Sequence, residues 1–216
     1  GPTSIQFSKS SDGGATWAPP ASVASNLPSP GFFMLRNADP DFGVLPEHGF
    51  LSNSMPTAAI AADGTLSVAW VDFTAGSCTP LREQDIEPAC TNADVRLAVS
   101  RNGGSTWTSP VKVSDETNAT DQFFPWIATH PDGSVSLMWM DKRLDPNNVN
   151  YDAFYTRTAD GSSFLPNVRI STQTSLTGTL TFLGDYNYAA ATADSFFPIW
   201  GDARSGNVDV FVARGQ

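Results

Sequence analysis

Carboxylates and arginines recur at matched points of this chain, each time at the end of an apolar segment. Two segments end in Asp-x-Arg, as Asp141 with Arg143 and Asp202 with Arg204, and a third ends in Asp72. Arginine holds a carboxylate through two parallel hydrogen bonds. The pairing therefore fits a site that binds a polar ligand, and it equally fits a structural ion pair that links neighbouring repeats. Both interpretations stay open from the sequence.

A second polar set stands at the start of other apolar segments, in the strings TDQFFP and LGDYNY. If these segments are equivalent strands, their first residues meet at one end of the fold. Arg36 lies in a long insertion, residues 26–54, which could overhang the same end, because long loops inside a compact domain are often functional. These starts predict a ligand-binding face formed by Asp121, Gln122, Asp185, Tyr186 and Tyr188.

The string SSDGGATW sets a carboxylate, Asp12, between a serine and two glycines, and SRNGGSTW repeats the string with Asn102 in its place. An amide cannot act as a general acid or base, but it accepts the same local hydrogen bonds in a turn. Glycine permits positive φ, and the tryptophan is expected to pack the hairpin onto its sheet. The pattern therefore predicts a turn and not a catalytic aspartate.

The elements that carry these residues repeat along the chain. MPTAAIAADGTLSVAWVDF, FPWIATHPDGSVSLMWMDKR and YNYAAATADSFFPIWGDAR each read as a strand, a tight turn and a strand ending in Trp-x-Asp. Alternation of period two predicts half-buried strands. Third strands follow, and fourth strands follow two of them, so the unit is four antiparallel strands.

Such units cannot bury both faces alone, and radial stacking of four-stranded sheets makes a β-propeller. The predicted fold is all-β, a propeller of four-stranded antiparallel blades with three to four blades in this chain, over a single domain or propeller fragment, residues 1–216. This count favours part of a longer propeller, six-bladed for example, or a half that pairs with another chain. A four-bladed closure and a β-sandwich are the alternatives.

Composition narrows the function classes. Hydrophobic residues make up 40% of the 216 residues, charged residues 16%, and the net charge is −10. An acidic chain is poorly suited to nucleic acid or anionic membranes, and no apolar run is long enough for a membrane span. The sequence predicts no cofactor, although acidic clusters such as NADPD leave a calcium ion open.

The two cysteines, Cys78 and Cys90, fall within a polar loop, residues 74–93. A disulfide between them would contribute roughly 3 kcal/mol by the loop-entropy model, and two free thiols are the alternative. With the acceptor sequon at Asn118, the cysteines favour an extracellular, secreted or cell-surface protein.

Ser-x-Asp-x-Gly-x-Thr-Trp resembles the Asp-box, or BNR repeat, of sialidases and related propellers. One copy matches fully, a second has asparagine for aspartate, and TADGSSF from Thr158 is a degenerate third. The resemblance implies hairpins between the third and fourth strands of each blade, at the periphery. Their structural residues are Ser10, Asp12, Gly14, Thr16 and Trp17, then Ser100, Asn102, Gly104, Thr106 and Trp107.

In that family a tyrosine activated by a glutamate attacks the anomeric carbon, and three arginines clamp the substrate carboxylate. Tyr186 is similar in opening an inner strand, eight residues before Asp194. However, Asn187-Tyr188-Ala189 departs from the family's Ser-x-Leu, and the Arg-Ile-Pro motif of the first clamp arginine does not occur in this chain. The missing motif puts catalysis in doubt.

Three functional hypotheses follow. The first is an extracellular, non-catalytic module that binds carbohydrate or a protein surface. The second is a portion of an exo-sialidase-type glycoside hydrolase whose remaining catalytic residues lie on other blades. The third is a structural surface protein that assembles through its sheet faces. Each needs further blades or another chain to close the propeller.

Overall fold

The computed structural model describes residues 3–27, 55–76, 78–79, 89–90, 92–177, 183 and 187–215. This part of the chain is all β, and none of its segments forms a helix long and apolar enough to cross a membrane. The strands are β1 (Thr3–Phe7), β2 (Ala21–Leu27), β3 (Thr57–Ile60), β4 (Leu66–Asp72), β5 (Cys78–Thr79), β6 (Ala89–Cys90), β7 (Asp94–Ser100), β8 (Val111–Lys112), β9 (Gln122–Thr129), β10 (Val135–Asp141), β11 (Asp152–Thr158), β12 (Val168–Arg169), β13 (Tyr188–Ala191), β14 (Phe196–Asp202) and β15 (Asp209–Val212).

Four antiparallel sheets follow one another along the chain. We name them the first sheet (β1, β2), the second (β3, β4, β7, β8), the third (β9 to β12) and the fourth (β13 to β15). Strand order within each sheet equals chain order, as in a meander. The innermost strand of the third sheet, β9, contacts the innermost strands β3 and β13 of its neighbours. Sheets that share a central line of inner strands are the blades of a β-propeller.

The core lies between the sheets. One hydrophobic cluster joins the second, third and fourth sheets, and a smaller cluster joins the first sheet to the second through Ile5, Val23, Trp70 and Ala98. All seven residues of β10 are buried. The prediction of half-buried strands is therefore wrong for β10, because blades pack on both of its faces. Small polar residues such as Ser136 are also enclosed there.

The short strands β5 and β6 form a separate hairpin in which Cys78 stands directly opposite Cys90. Opposite residues of an antiparallel pair have Cα atoms about 4.5–5.5 Å apart, which is within disulfide range. The side chains of both cysteines lie outside the described residues, so the disulfide stays a prediction.

Candidate functional site

The hairpin that carries Asp12 is held by its own side chains. Ser10 Oγ donates to Asp12 Oδ1 at 2.7 Å and accepts the Gly14 N–H at 2.8 Å. Thr16 donates its N–H and its hydroxyl to the two oxygens of Asp12. These hydrogen bonds, led by the one from the Thr16 hydroxyl, hold the pKa of Asp12 well below its ordinary value. Each of these donors belongs to the turn itself.

The second hairpin repeats the arrangement with an amide. Asn102 Oδ1 accepts the Thr106 N–H at 2.9 Å and the Ser100 hydroxyl at 3.0 Å, and Ser100 Oγ accepts the Gly104 N–H. In the degenerate third copy, Asp160 accepts from the backbone N–H groups of Ser162 and Ser163. The same turn therefore forms whether or not the central side chain can titrate.

The two tryptophans of these hairpins differ in burial. Trp107 is half-buried and meets the ring of Phe7 edge-on, with 5.6 Å between centroids. Trp17 is 65% exposed. Packing onto a sheet was expected for both, and Trp17 departs from it. The reason is positional, because Trp107 packs onto the sheet that precedes its own, and none of the described sheets precedes the first.

The Trp-x-Asp motif closes the second strand of three sheets with one geometry. The indole N–H donates to the aspartate two residues later at 2.7 to 2.9 Å, in Trp70–Asp72, Trp139–Asp141 and Trp200–Asp202. The other carboxylate oxygen accepts the backbone N–H two residues further on. All three carboxylates are buried. We call this end of the sheets the strand-end face.

Arg143 occupies the centre of an ionic network between the second and third sheets. Its guanidinium binds Asp141 at 2.7 Å, Asp115 at 2.5 Å and Glu116 at 3.3 Å, and it lies over the ring of Phe154. Burial raises the pKa of Glu116, against the opposing hydrogen bond from Lys112. Arg143 is thus committed to protein carboxylates, as the structural interpretation of Asp-x-Arg requires.

Arg204 repeats this arrangement in the fourth sheet. It binds Asp202, donates to the Thr172 hydroxyl at 2.7 Å and lies over Phe211, with 4.2 Å between Cζ and the ring centroid. Burial alone would raise the pKa of Asp202, but hydrogen bonds from Arg204, Ser175 and Trp200 outweigh it and lower that pKa to about 2.

The second sheet departs from the pattern, because Asp72 has no arginine two residues later, and the cation that replaces it was not among the predicted site residues. Thr74 stands where Arg143 and Arg204 stand in the other sheets. Arg96 instead comes from the third strand, directly opposite Trp70, and pairs with Asp72 at 3.4 Å and Asp94 at 3.1 Å. The sequence feature that could have indicated this pairing is Arg96, two residues after Asp94 in the strand DVRLAVS.

Asp121 and Gln122 lie at the strand-end face, since Gln122 pairs with Asp141, but both are fully buried. Asp121 accepts the Ala93 N–H at 2.9 Å and the Asn148 amide at 2.7 Å, and the buried Lys142 Nζ lies 3.8 Å away. The Gln122 amide donates to the Thr120 carbonyl. Neither side chain presents surface to a ligand in this structure.

Tyr188 is different, because it is 57% exposed on the innermost strand of the fourth sheet. Its ring lies 5.9 Å from that of Trp126 on the neighbouring innermost strand, tilted by 42°. Asn187 ties the two strands together by donating its amide to the carbonyl of Phe124 at 2.9 Å. Phe124 itself has φ +49°, which is rare for a bulky residue and marks the irregular pairing of β9. Tyr188 and Trp126 thus form an aromatic pair on the two adjacent innermost strands. We call this pair and the strands that carry it the inner wall.

Tyr186, Asp185 and Arg36 lie outside the described residues, as does the NADPD cluster. In the part that the structure describes, no group of three or more His, Cys, Asp or Glu side chains could hold a metal ion. The sequence placed Tyr188 at this face, and the structure adds Trp126 beside it.

Neither the protein-family models nor the curated protein sequences match this chain. Solved structures do. A Hadza microbial sialidase matches at TM-score 0.50 and 16% identity, over 97% of this chain and 38% of its own. An α-L-arabinanase of Penicillium chrysogenum, solved with arabinobiose, matches at TM-score 0.51 and 14% identity, over 88% and 53%. An ulvan lyase, a family 25 polysaccharide lyase, matches at TM-score 0.50 and 9% identity, over 99% and 51%.

These identities show the fold alone. The chain adopts the fold of carbohydrate-active propeller enzymes and spans between 38% and 53% of those chains. The predicted all-β propeller of four-stranded antiparallel blades is confirmed, with two four-stranded sheets flanked by a two-stranded and a three-stranded sheet among the described residues.

Proposed function

We propose that this chain is part of a secreted, sialidase-like propeller that binds carbohydrate without hydrolysing it. The observation that carries the proposal is the exposed Tyr188 beside Trp126 on adjacent innermost strands. Aromatic rings with polar neighbours suit the apolar faces and hydroxyl edges of a sugar. Asn187, next to Tyr188 in the chain, belongs to the scaffold that holds the pair, through its hydrogen bond to the carbonyl of Phe124.

The commitment of the arginines supports the non-catalytic form of the proposal. A sialidase-type site needs several arginines free to clamp a carboxylate. Arg143 and Arg204 are each bound to protein carboxylates and stacked on an aromatic ring. In this proposal they support the inner wall through Asp141 and Asp202, and they do not contact the ligand.

The hairpins enter the proposal as Asp-boxes, with Asp12, Asn102 and Asp160 as their central residues. The assignment is supported for Asp12 and Asn102 by the threonine N–H that each accepts four residues later, and for Asp160 by the N–H groups two and three residues later. The chain is then one propeller domain or fragment, residues 1–216, that needs further blades or another chain for closure. Secretion is supported by the register that opposes Cys78 to Cys90.

A glycan array probed with the labelled chain tests the proposal. We expect binding that falls about tenfold or more in Tyr188→Ala and persists in Tyr188→Phe, which keeps the ring. Equal binding by wild type and Tyr188→Ala, with both folded by circular dichroism, would remove the inner wall from the site.

The hydrolase alternative shares the fold and differs in Tyr186. It predicts turnover of an aryl glycoside that collapses in Tyr186→Phe, which loses only the hydroxyl. The assembly alternative is favoured by Val210 and Val212 of β15, which are 79% and 65% exposed. It predicts a particle mass above that of one 23.0 kDa chain, whatever sugar is present.

A further inference from the structure

A cleft of about 550 Å³ opens between the first and second sheets, and neither Tyr188 nor Trp126 lines it. One side is β2, the outer strand of the first sheet, and the other is the segment 107–110 before β8. Asp72, Thr74 and Arg96 line it as well. We call it the outer cleft. Its volume is in the range of small-ligand sites.

The departure of the second sheet from the common pattern explains why this cleft is open. In the third sheet the position opposite Trp139 holds Phe154, and Arg143 covers that ring. In the second sheet the position opposite Trp70 holds Arg96, and the covering position holds the much smaller, exposed Thr74. An aromatic ring and a guanidinium are thus replaced by a guanidinium and a hydroxyl, which leaves the space unfilled.

The walls of the outer cleft combine an aromatic side chain with uncommitted polar groups. Trp107 lines the cleft and is half-buried, and its indole N–H is enclosed, so the exposed part of its ring and not the N–H is available to a ligand. The hydroxyls of Ser22, Ser25 and Ser109 are exposed in the cleft, and within the described ranges none has a hydrogen-bond partner. The side-chain amide of Asn26 is likewise exposed and has no hydrogen-bond partner among the described residues. A ligand with many hydroxyl groups could satisfy these donors and acceptors together.

The charges in the cleft select a neutral ligand. Arg96 is the cation of the described lining, and it pairs with two carboxylates, through Nε with Asp72 and through Nη2 with Asp94. Its charge is therefore offset within the protein, which disfavours a carboxylate or a sulfate as the ligand. The net charge of −10 adds a field that repels anions.

We propose that the outer cleft is a second carbohydrate site, separate from the inner wall, that binds a neutral saccharide against Trp107. The hydroxyls of the saccharide bond Ser22, Ser25, Ser109 and the ionic pair at the base of the cleft. This site does not depend on Tyr188, and each site can fail without the other.

Thr74→Arg tests the outer cleft directly, because it restores the arginine of the other sheets and fills the space. The control is Thr117→Arg, the same chemical change at an exposed threonine outside the cleft lining. Titration by NMR would use short neutral oligosaccharides of arabinose, xylose, mannose and glucose, with sialyllactose as the anionic probe. We expect at least one neutral probe to shift the indole N–H resonance of Trp107, assigned by its loss in Trp107→Phe.

The expected result is an affinity about tenfold or more lower in Thr74→Arg, and unchanged in Thr117→Arg and in Tyr188→Ala. Loss of binding in Tyr188→Ala alone would overturn the outer cleft and leave the inner wall standing. Preference for sialyllactose, or no neutral probe bound at millimolar concentration, would also overturn it.

Discussion

Trp139 donates its indole N–H to Asp141 at 2.7 Å, two residues later on the same strand. The same carboxylate binds Arg143, whose guanidinium lies 4.3 Å above the ring of Phe154. Phe154 in turn is stacked on Trp139 across the two strands. Ring, carboxylate and guanidinium therefore fix one another's positions at the strand-end face.

Asp141→Asn should lower the free energy of unfolding by about 2–3 kcal/mol, because it removes the buried negative charge that pairs with Arg143. The loss is limited because Asp115 and Glu116 still pair with that guanidinium. Asp132→Asn is the matched control. Asp132 pairs with Arg157 at 2.8 Å, but its side chain is 61% exposed, so the loss should stay under about 1 kcal/mol. Urea unfolding measures both, and equal losses would contradict a structural role for the buried pair.

Gly104→Ala should destabilise the protein more than Gly14→Ala, although both glycines have φ between +82° and +94°. A Cβ on Gly104 would lie 2.1 Å from the ring of Phe7, whereas a Cβ on Gly14 has no atom of the described residues within 4 Å. Both variants are destabilised by a side chain at positive φ. In Gly104→Ala the clash with Phe7 adds about 1–3 kcal/mol to the loss of unfolding free energy. Thermal unfolding of the two variants checks this order, and the reverse order would exclude hairpin-to-sheet packing as the cause.

Asp202 should contribute stability that depends on pH. Its pKa is about 2 in the folded protein and about 3.9 in an unfolded chain. A depressed pKa stabilises the fold above pH about 4, and this contribution disappears as the pH falls towards 2. Asp202→Asn should therefore be less stable than wild type at neutral pH, with a difference that narrows between pH about 4 and 2. Chemical unfolding across this range tests it, and a constant difference would argue against the low pKa.

Cys78 and Cys90 should form a disulfide, since their register places them opposite each other. We expect no free thiol to react in the denatured, unreduced protein. Replacing both by serine should cost roughly 3 kcal/mol of unfolding free energy. Titration of two thiols per chain would refute the disulfide and weaken the argument for secretion.

Local rules predicted much of this protein. Asp12 and Asn102 could be assigned to turns because all of their partners lie within four residues. Tyr188 could be placed at the start of an inner strand from the repeat alone. Burial was harder, because Asp121 and Trp126 take their partners from segments distant in sequence, and strand alternation does not show whether a second sheet covers the outer face.

The amino-acid sequence by itself determined the hairpins, the four-strand unit and its repetition, since these depend on hydrogen bonds and periodicity within a few residues. Tertiary structure alone decided which polar side chains are paired within the protein and which remain available to a ligand. Arg143 and Arg204 each follow an aspartate by two residues, which also suits a ligand clamp. Only folding brings Asp115 and Glu116 to Arg143, and Thr172 and the Phe211 ring to Arg204. Thr74 shows in the sequence that the arginine is missing, but only the packing of the first and second sheets shows that its absence opens the outer cleft. Both outcomes depend on long-range packing, because a side chain is available to a ligand only if the neighbours that the folded chain brings to it leave its hydrogen-bonding groups unpaired.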